Sequence, residues 1–294
     1  MDYEIHLGPA RAAVSATGAT LRAYTVDGVP FVETFPAGEP APMSSGAVLL
    51  PWPNRTADAA WPYRGESQHL TVSEPARDNA IHGLVRDRIW ALNERSESAV
   101  TLSVEIADEP GWPFRFRTAV TYALEERGLV VTHTIDNLSD RPMPFGLGAH
   151  PYVRAGATDV DDCEVTLAAT TRLPLDPVRL LPARAQEPAR IHRRPMRGLT
   201  LDGAFGGCVP SEDGLVRHTL MGPDGGVEVW ADPVFGWTQV YTPAEFPGRP
   251  GRAIAIEPMT CPPDALNSGV DLLEVAPGGS WSAAWGITPV GLVS

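Results

Sequence analysis

Several stretches of this chain alternate apolar and polar residues at every second position, and that period constrains the fold more than any other feature. Val100, Leu102, Val104 and Ile106 fall on one face of an extended segment. Phe114, Phe116, Val120, Tyr122 and Leu124 mark a second. Val131, His133 and Ile135 mark a third, after the turn Glu126-Arg127-Gly128. Leu21 to Val32 reads as strand, Asp27-Gly28, strand, a pair suited to a tight hairpin whose central residues take positive φ. Val227 to Trp230, Thr238 to Tyr241 and Arg252 to Glu257 add further strands, and no long apolar stripe at the helical period is present. The 30 prolines and 28 glycines are scattered, as many short strands and turns require. An interior proline would cost a helix ~3 kcal/mol. The expectation is an all-β fold: one large antiparallel β-sandwich domain spanning residues 1–294. Its Pro-rich loops fall at 36–43, 142–151, 174–188 and 243–250, and none is long enough to be an interdomain linker.

Composition removes several chemistries. The chain has no lysine, so a Schiff base, lysine-held pyridoxal phosphate and a Walker-A loop are all excluded. A net charge of −13 disfavours nucleic acid, whose phosphates need a basic surface. The N-terminus lacks a basic segment followed by an apolar one, and no stretch approaches ~18 consecutive apolar residues, so no membrane partner is expected. Cys163, Cys208 and Cys261 are odd in number and far apart, without CxxC, which reads as free thiols in a cytoplasmic protein. HExxH, HxH and GxSxG are absent, and Gly146-Leu147-Gly148 lacks the third glycine and the helix of a dinucleotide fingerprint. Neither a cofactor nor a metal is expected, although His82 and His150 can still meet Glu257 in space.

Five segments carry chemistry. In Arg252 to Pro258, Ile254 and Ile256 share one strand face, while Ala253, Ala255 and Glu257 share the other. Two small residues leading to a carboxylate leave room above a sheet, and Pro258 is expected to end the strand's hydrogen bonding. In Phe145 to Tyr152, Gly146 and Gly148 permit close approach of backbone or ligand, and His150 is held extended by Pro151. The others are Ile81-His82-Gly83, the rigid loop Pro51-Trp52-Pro53-Asn54-Arg55, and Leu201-Asp202-Gly203-Ala204-Phe205. Taken singly, an exposed strand-end glutamate, a turn histidine and surface polar residues explain them equally well. Together, isolated histidines and separate carboxylates suit general acid–base work better than nucleophilic catalysis.

In this order and spacing, from about residue 20 to 290, the segments resemble the aldose 1-epimerase (galactose mutarotase) family. The likeness is closest to its divergent bacterial branches, some of which act on phosphorylated hexoses. Asn54-Arg55, Ile81-His82-Gly83, His150-Pro151-Tyr152, Asp202-Gly203-Ala204-Phe205, Glu257-Pro258 and Pro263-Asp264-Ala265 are the matching residues. The chain departs from the pattern at Gly203, where better-known members often carry a second histidine, and at Leu84, where many have a second glycine. The resemblance implies a galactose mutarotase-like supersandwich whose concave face holds an aldohexose. It implies a monomer or homodimer that interconverts α and β anomers by opening and reclosing the ring.

It assigns Glu257 as the base at O1 and His150 as the acid at the ring oxygen, each favouring the other's charged form. Asn54, Arg55, His82 and Asp202 become sugar ligands, with Trp237 and Tyr241 as an aromatic platform. Three alternatives stand beside it. One is a hexose-6-phosphate mutarotase using Arg86 and Arg88; another is a catalytically silent carbohydrate-binding sandwich; the third is a cupin-like metalloenzyme.

Overall fold

A computed structural model describes residues 1–291 of the chain. The single unit expected over 1–294 extends three residues beyond these. Two large antiparallel sheets dominate. The nine-stranded sheet runs Ala91–Arg95, Ala99–Ile106, Phe116–Glu125, Gly128–Asn137, Ser280–Val290, Gly225–Ala231, Val216–Gly222, Glu164–Thr166 and Arg194–Pro195 in spatial order. The eight-stranded sheet runs Glu187–Pro188, Thr171–Leu173, Asp202–Gly206, Trp237–Tyr241, Ile254–Met259, Gly148–Ala149 and Val48–Leu49, with Tyr152–Val153 also pairing Ile254–Met259. A four-stranded N-terminal sheet from Asp2 to Pro30 packs beside them, tied in by the Tyr122 hydroxyl donating to the Ala19 carbonyl at 2.7 Å. One short α-helix, Ala265–Ser268, and three single-turn 3-10 helices are present among the described residues, and none of them is long and apolar enough to cross a membrane.

The period-two pattern decides which faces meet. Val100, Leu102, Phe116, Val120, Tyr122, Val131 and Ile135 are buried in the core shared with Ile254, Ile256, Val240 and Phe205 of the other sheet. Asp27 and Gly28 both take positive φ in the hairpin joining Leu21–Val26 to Val29–Pro30.

One local expectation changes. The strand carrying Glu257 does not stop there but continues through Pro258 to Met259, which pairs Gly148 on one side and Trp237 on the other. Proline is tolerated because the Gly148–Ala149 and Tyr152–Val153 strands leave a gap in the ladder on that side.

Candidate active site

Register places the candidate residues. On the outer face of the eight-stranded sheet, Gln239 lies opposite Glu257 and Asp202 opposite Tyr241. On the other flank, Gly148 pairs Met259 and Tyr152 pairs Ala255. The same register carried across the gap sets His150 opposite Glu257. The distance agrees: His150 Nε2 is 3.4 Å from Glu257 Oε1, with both side chains almost fully buried. The His150 backbone is fixed by donating to the Ala47 carbonyl at 3.1 Å and accepting from the Gly46 amide at 2.8 Å. Its ring stacks on Tyr152, centroids 5.2 Å apart, and meets His82 edge-on at 5.4 Å.

The rest of the wall comes from the loop over that sheet. Gly146 and Gly148 make room for it. A Cβ on Gly146 would lie 2.3 Å from the Cys261 Sγ and 2.9 Å from Pro53 Cδ; one on Gly148 would lie 2.9 Å from Pro53 Cβ. The two glycines therefore seat Pro53 and carry Asn54-Arg55 to the cavity; close approach of ligand is not their purpose. Asn54 and His82 clasp one another: the Asn54 amide donates to His82 Nδ1 at 3.2 Å, and the His82 amide donates to the Asn54 carbonyl at 2.8 Å. Gly83 takes φ +71° with its Cβ position 2.0 Å from the Leu50 carbonyl oxygen, so only glycine fits after His82. Arg55 forks onto Glu74 at 2.8 and 2.9 Å. Asp264 closes the loop from behind, accepting from the Ala57 amide at 2.9 Å and donating its own amide to the Arg55 carbonyl at 2.7 Å.

The cavity so formed has a volume of about 370 Å³, within the range of small-molecule sites. Glu257, His150, Asn54, Arg55, His82, Asp202 and Tyr241 line it. Trp237 does not. It shares a strand face with Tyr241 but sits four residues further along, where its indole N–H donates to Asp271 at 2.7 Å and its ring covers Gly206. Tyr241 and Tyr152 are the aromatic groups at the cavity instead. Of the two arginines weighed for a phosphate, Arg86 lines the cavity and bonds Ser44 Oγ at 3.2 Å, whereas Arg88 pairs with Glu109 elsewhere.

Gln239 is a cavity residue that the sequence reading passed over. Its Nε2 donates to Asp202 Oδ1 at 3.0 Å, while its Oε1 is buried without a partner. Glu257 Oε2, His150 Nδ1 and the Tyr152 hydroxyl are also buried and unpartnered. Such groups are costly in a folded protein, and these four belong to residues that line one cavity. That is the arrangement expected where a polar ligand supplies the missing hydrogen bonds.

Protonation departs from the expectation of mutual charging. Burial pushes the Glu257 carboxyl well above the usual carboxylate range, and nearby Asp202 adds to that more than Arg55 opposes it. Burial lowers His150 to about 4, with a smaller contribution from Arg86. Desolvation outweighs attraction across 3.4 Å, so burial favours the uncharged form of each partner, with a shared proton resting on Glu257 rather than on His150. Burial also raises Asp202, against Arg55 and Arg77, and lowers His82 well below its usual value.

With this geometry in view, the comparisons with known proteins become specific. A family profile described as aldose 1-epimerase matches residues 2–288. The uncharacterized protein YihR of Escherichia coli K12 is 31% identical over 276 residues, covering 92% of this chain and 87% of that protein. Galactose mutarotase of Rattus norvegicus is 32% identical over 138 residues, covering 45% of this chain and 39% of the enzyme. In three dimensions, a galactose mutarotase-like protein from Clostridium acetobutylicum superposes with a TM-score of 0.85 at 17% identity, over 97% of this chain and 94% of that one.

Proposed function

We infer the reaction from one premise: the chain belongs to the aldose 1-epimerase family. On that premise we propose that it is a mutarotase, interconverting the α and β anomers of a hexose such as glucose or galactose. The observation that carries the proposal is the His150–Glu257 pair at 3.4 Å in a polar cavity. Ring opening needs a base for the C1 hydroxyl proton and an acid for the ring oxygen. A pair holding one proton supplies both. With the proton on His150, Glu257 accepts from O1 while His150 donates to the ring oxygen. The pair then stands with its proton on Glu257 and His150 neutral, the arrangement that burial favours. Burial thus favours the state that opening produces and, because closure is the same transfer in reverse, opposes closure by the same amount. After rotation about C1–C2, Glu257 returns its proton to O1, His150 takes the one on the closing oxygen, and the starting state is restored. Only protons move.

The surrounding groups fit the sugar. Asp202, anchored by Gln239, accepts from hydroxyls. Arg55 and His82 donate to ring-side oxygens, Asn54 holds the loop that presents them, and Tyr241 offers an apolar face. Polarimetry of freshly dissolved α-D-glucose and α-D-galactose, with the spontaneous rate subtracted, tests the reading. A faster approach to anomeric equilibrium supports it. No effect there, and none by exchange NMR on hexose 6-phosphates, moves the assignment to a carbohydrate-binding sandwich without catalysis. A phosphorylated hexose is favoured by one observation, Arg86 at the cavity wall with a serine and an exposed aspartate as its side-chain partners. Inorganic phosphate competing with the sugar, and losing that effect in Arg86→Ala, identifies that case.

A further inference from the structure

Arg55 is held from a distance. The Glu74 carboxylate that fixes it accepts four hydrogen bonds: two from Arg55, one from Arg77 at 3.0 Å and one from Asn79 at 3.1 Å. Burial alone would raise this carboxyl, yet these partners together hold it below its usual value. Asn79 is fully buried, and its amide divides between two segments. Its Nδ2 donates to Glu74 and also to the Arg179 carbonyl at 3.1 Å, while its Oδ1 accepts from the Arg179 guanidinium at 3.1 Å.

Arg179 belongs to a tight turn closed by a bridge between Leu175 and Pro182 and pinned by Asp176, whose Oδ1 accepts the amides of Val178 and Arg179 at 3.0 and 2.7 Å. The Arg179 side chain, 35% exposed, reaches back to residues 58 and 77–79. It donates to the carbonyls of Arg77 at 3.1 Å and Asp78 at 3.2 Å and to Asp58 at 2.8 Å. Arg77 answers by donating to the Val178 carbonyl at 3.1 Å. The next residue, Leu180, has φ +55° and lines the cavity.

We propose that Arg179 is a positioning residue for the sugar site, latching the 175–182 turn onto residues 77–79 and, through Asn79 and Glu74, holding Arg55 at the cavity. It touches no reacting atom. Its effect is on binding: it keeps Arg55 aimed and Leu180 over the cavity, while the proton-transfer pair is left alone. The proposal takes the cavity to be a sugar site, and the experiment separates the two ideas.

Hydrogen exchange on the full chain, wild type against Arg179→Ala and Arg179→Lys, reads the latch without any sugar. The alanine variant is expected to exchange faster in both 175–182 and 73–81, and lysine to recover part of the protection. Unchanged exchange overturns the latch whatever the enzyme does. Mutarotation kinetics then read the consequence. Arg179→Ala should raise KM roughly tenfold, with kcat within about twofold and the pH profile unmoved. It should add nothing further to KM in an Arg55→Ala background. A fall in kcat at constant KM, or effects that add in full, overturns the link to Arg55. If no sugar is turned over by wild type while the exchange result holds, the mutarotase reading fails and the latch stands.

Discussion

Two buried histidines show the difference between a core and a site. His133 lies on the interior face of the nine-stranded sheet, where its Nε2 accepts the Trp285 indole N–H at 3.0 Å, and burial lowers it to about 3. His150 lies on the outer face of the eight-stranded sheet, where its Nε2 meets a carboxyl at 3.4 Å, and burial lowers it to about 4. Both have an unpartnered Nδ1. Burial and a lowered pKa therefore do not distinguish them. What does is the partner: an indole only donates a hydrogen bond, whereas Glu257 can exchange a proton, and its environment pushes it the opposite way.

The largest consequence concerns turnover. Glu257→Gln and His150→Asn should each lower kcat by about 10²–10⁴, with the protein folded, as read by polarimetry and circular dichroism. Because Glu257 is destabilised when ionised in the fold, the glutamine variant should unfold at a higher urea concentration than wild type. If it unfolds sooner, Glu257 supports the structure and the contrast with His133 weakens.

Acid stability follows from all four buried histidines, His82, His133, His150 and His218, whose folded pKa values are lowered. The unfolded chain takes up protons first as pH falls, so stability is retained above about pH 6.5 and lost below it, by ~1.4 kcal/mol per pH unit for each histidine until its folded value is reached. The raised carboxyls of Glu257 and Asp202 take up protons earlier in the fold than in the unfolded chain and offset part of that loss. Urea unfolding between pH 7 and 5 should therefore show a net slope below the four-histidine sum, and replacing His133 should reduce the histidine contribution by about one proton. A pH dependence that is the same with and without His133 contradicts burial of a neutral histidine there.

His133→Ala should cost about 2–4 kcal/mol of stability through lost packing and a stranded indole N–H, with kcat per folded molecule unchanged. Any selective loss of kcat would make His133 more than a core residue. The smallest effect belongs to Gln239→Leu. Freeing Asp202 from its anchor should lower kcat/KM roughly tenfold, mostly through KM.

The contrast was only partly legible in the sequence. Alternation identified the strands and the interior faces because a period of two is a local property. It also put Ala255 and Glu257 on the face opposite Ile254 and Ile256, as the core membership shows. Gln239 was within reach of the same reasoning, since it shares a face with Tyr241, but its value depends on lying opposite Glu257, and inter-strand register is not written in one strand. Trp237 was misplaced for a related reason: strand parity says which face a residue takes, not how far along the strand a cavity extends. Glu74 and Asn79 carry no signal of their own in the sequence, because partners such as Arg179 lie up to about a hundred residues away. The protonation of the pair was inverted because attraction between opposite charges is evident from residue types, while desolvation depends on burial that only the assembled fold reveals.

The central claim is that His150 and Glu257 exchange one proton with a bound sugar. Anomeric exchange NMR on α- and β-glucose and galactose tests it most directly, with wild type and Glu257→Gln side by side at neutral pH and sugar binding followed in the same samples. The account predicts enzyme-dependent exchange for wild type, and retained binding with exchange reduced at least about a hundredfold for the variant. Equal exchange rates in the two proteins would contradict it.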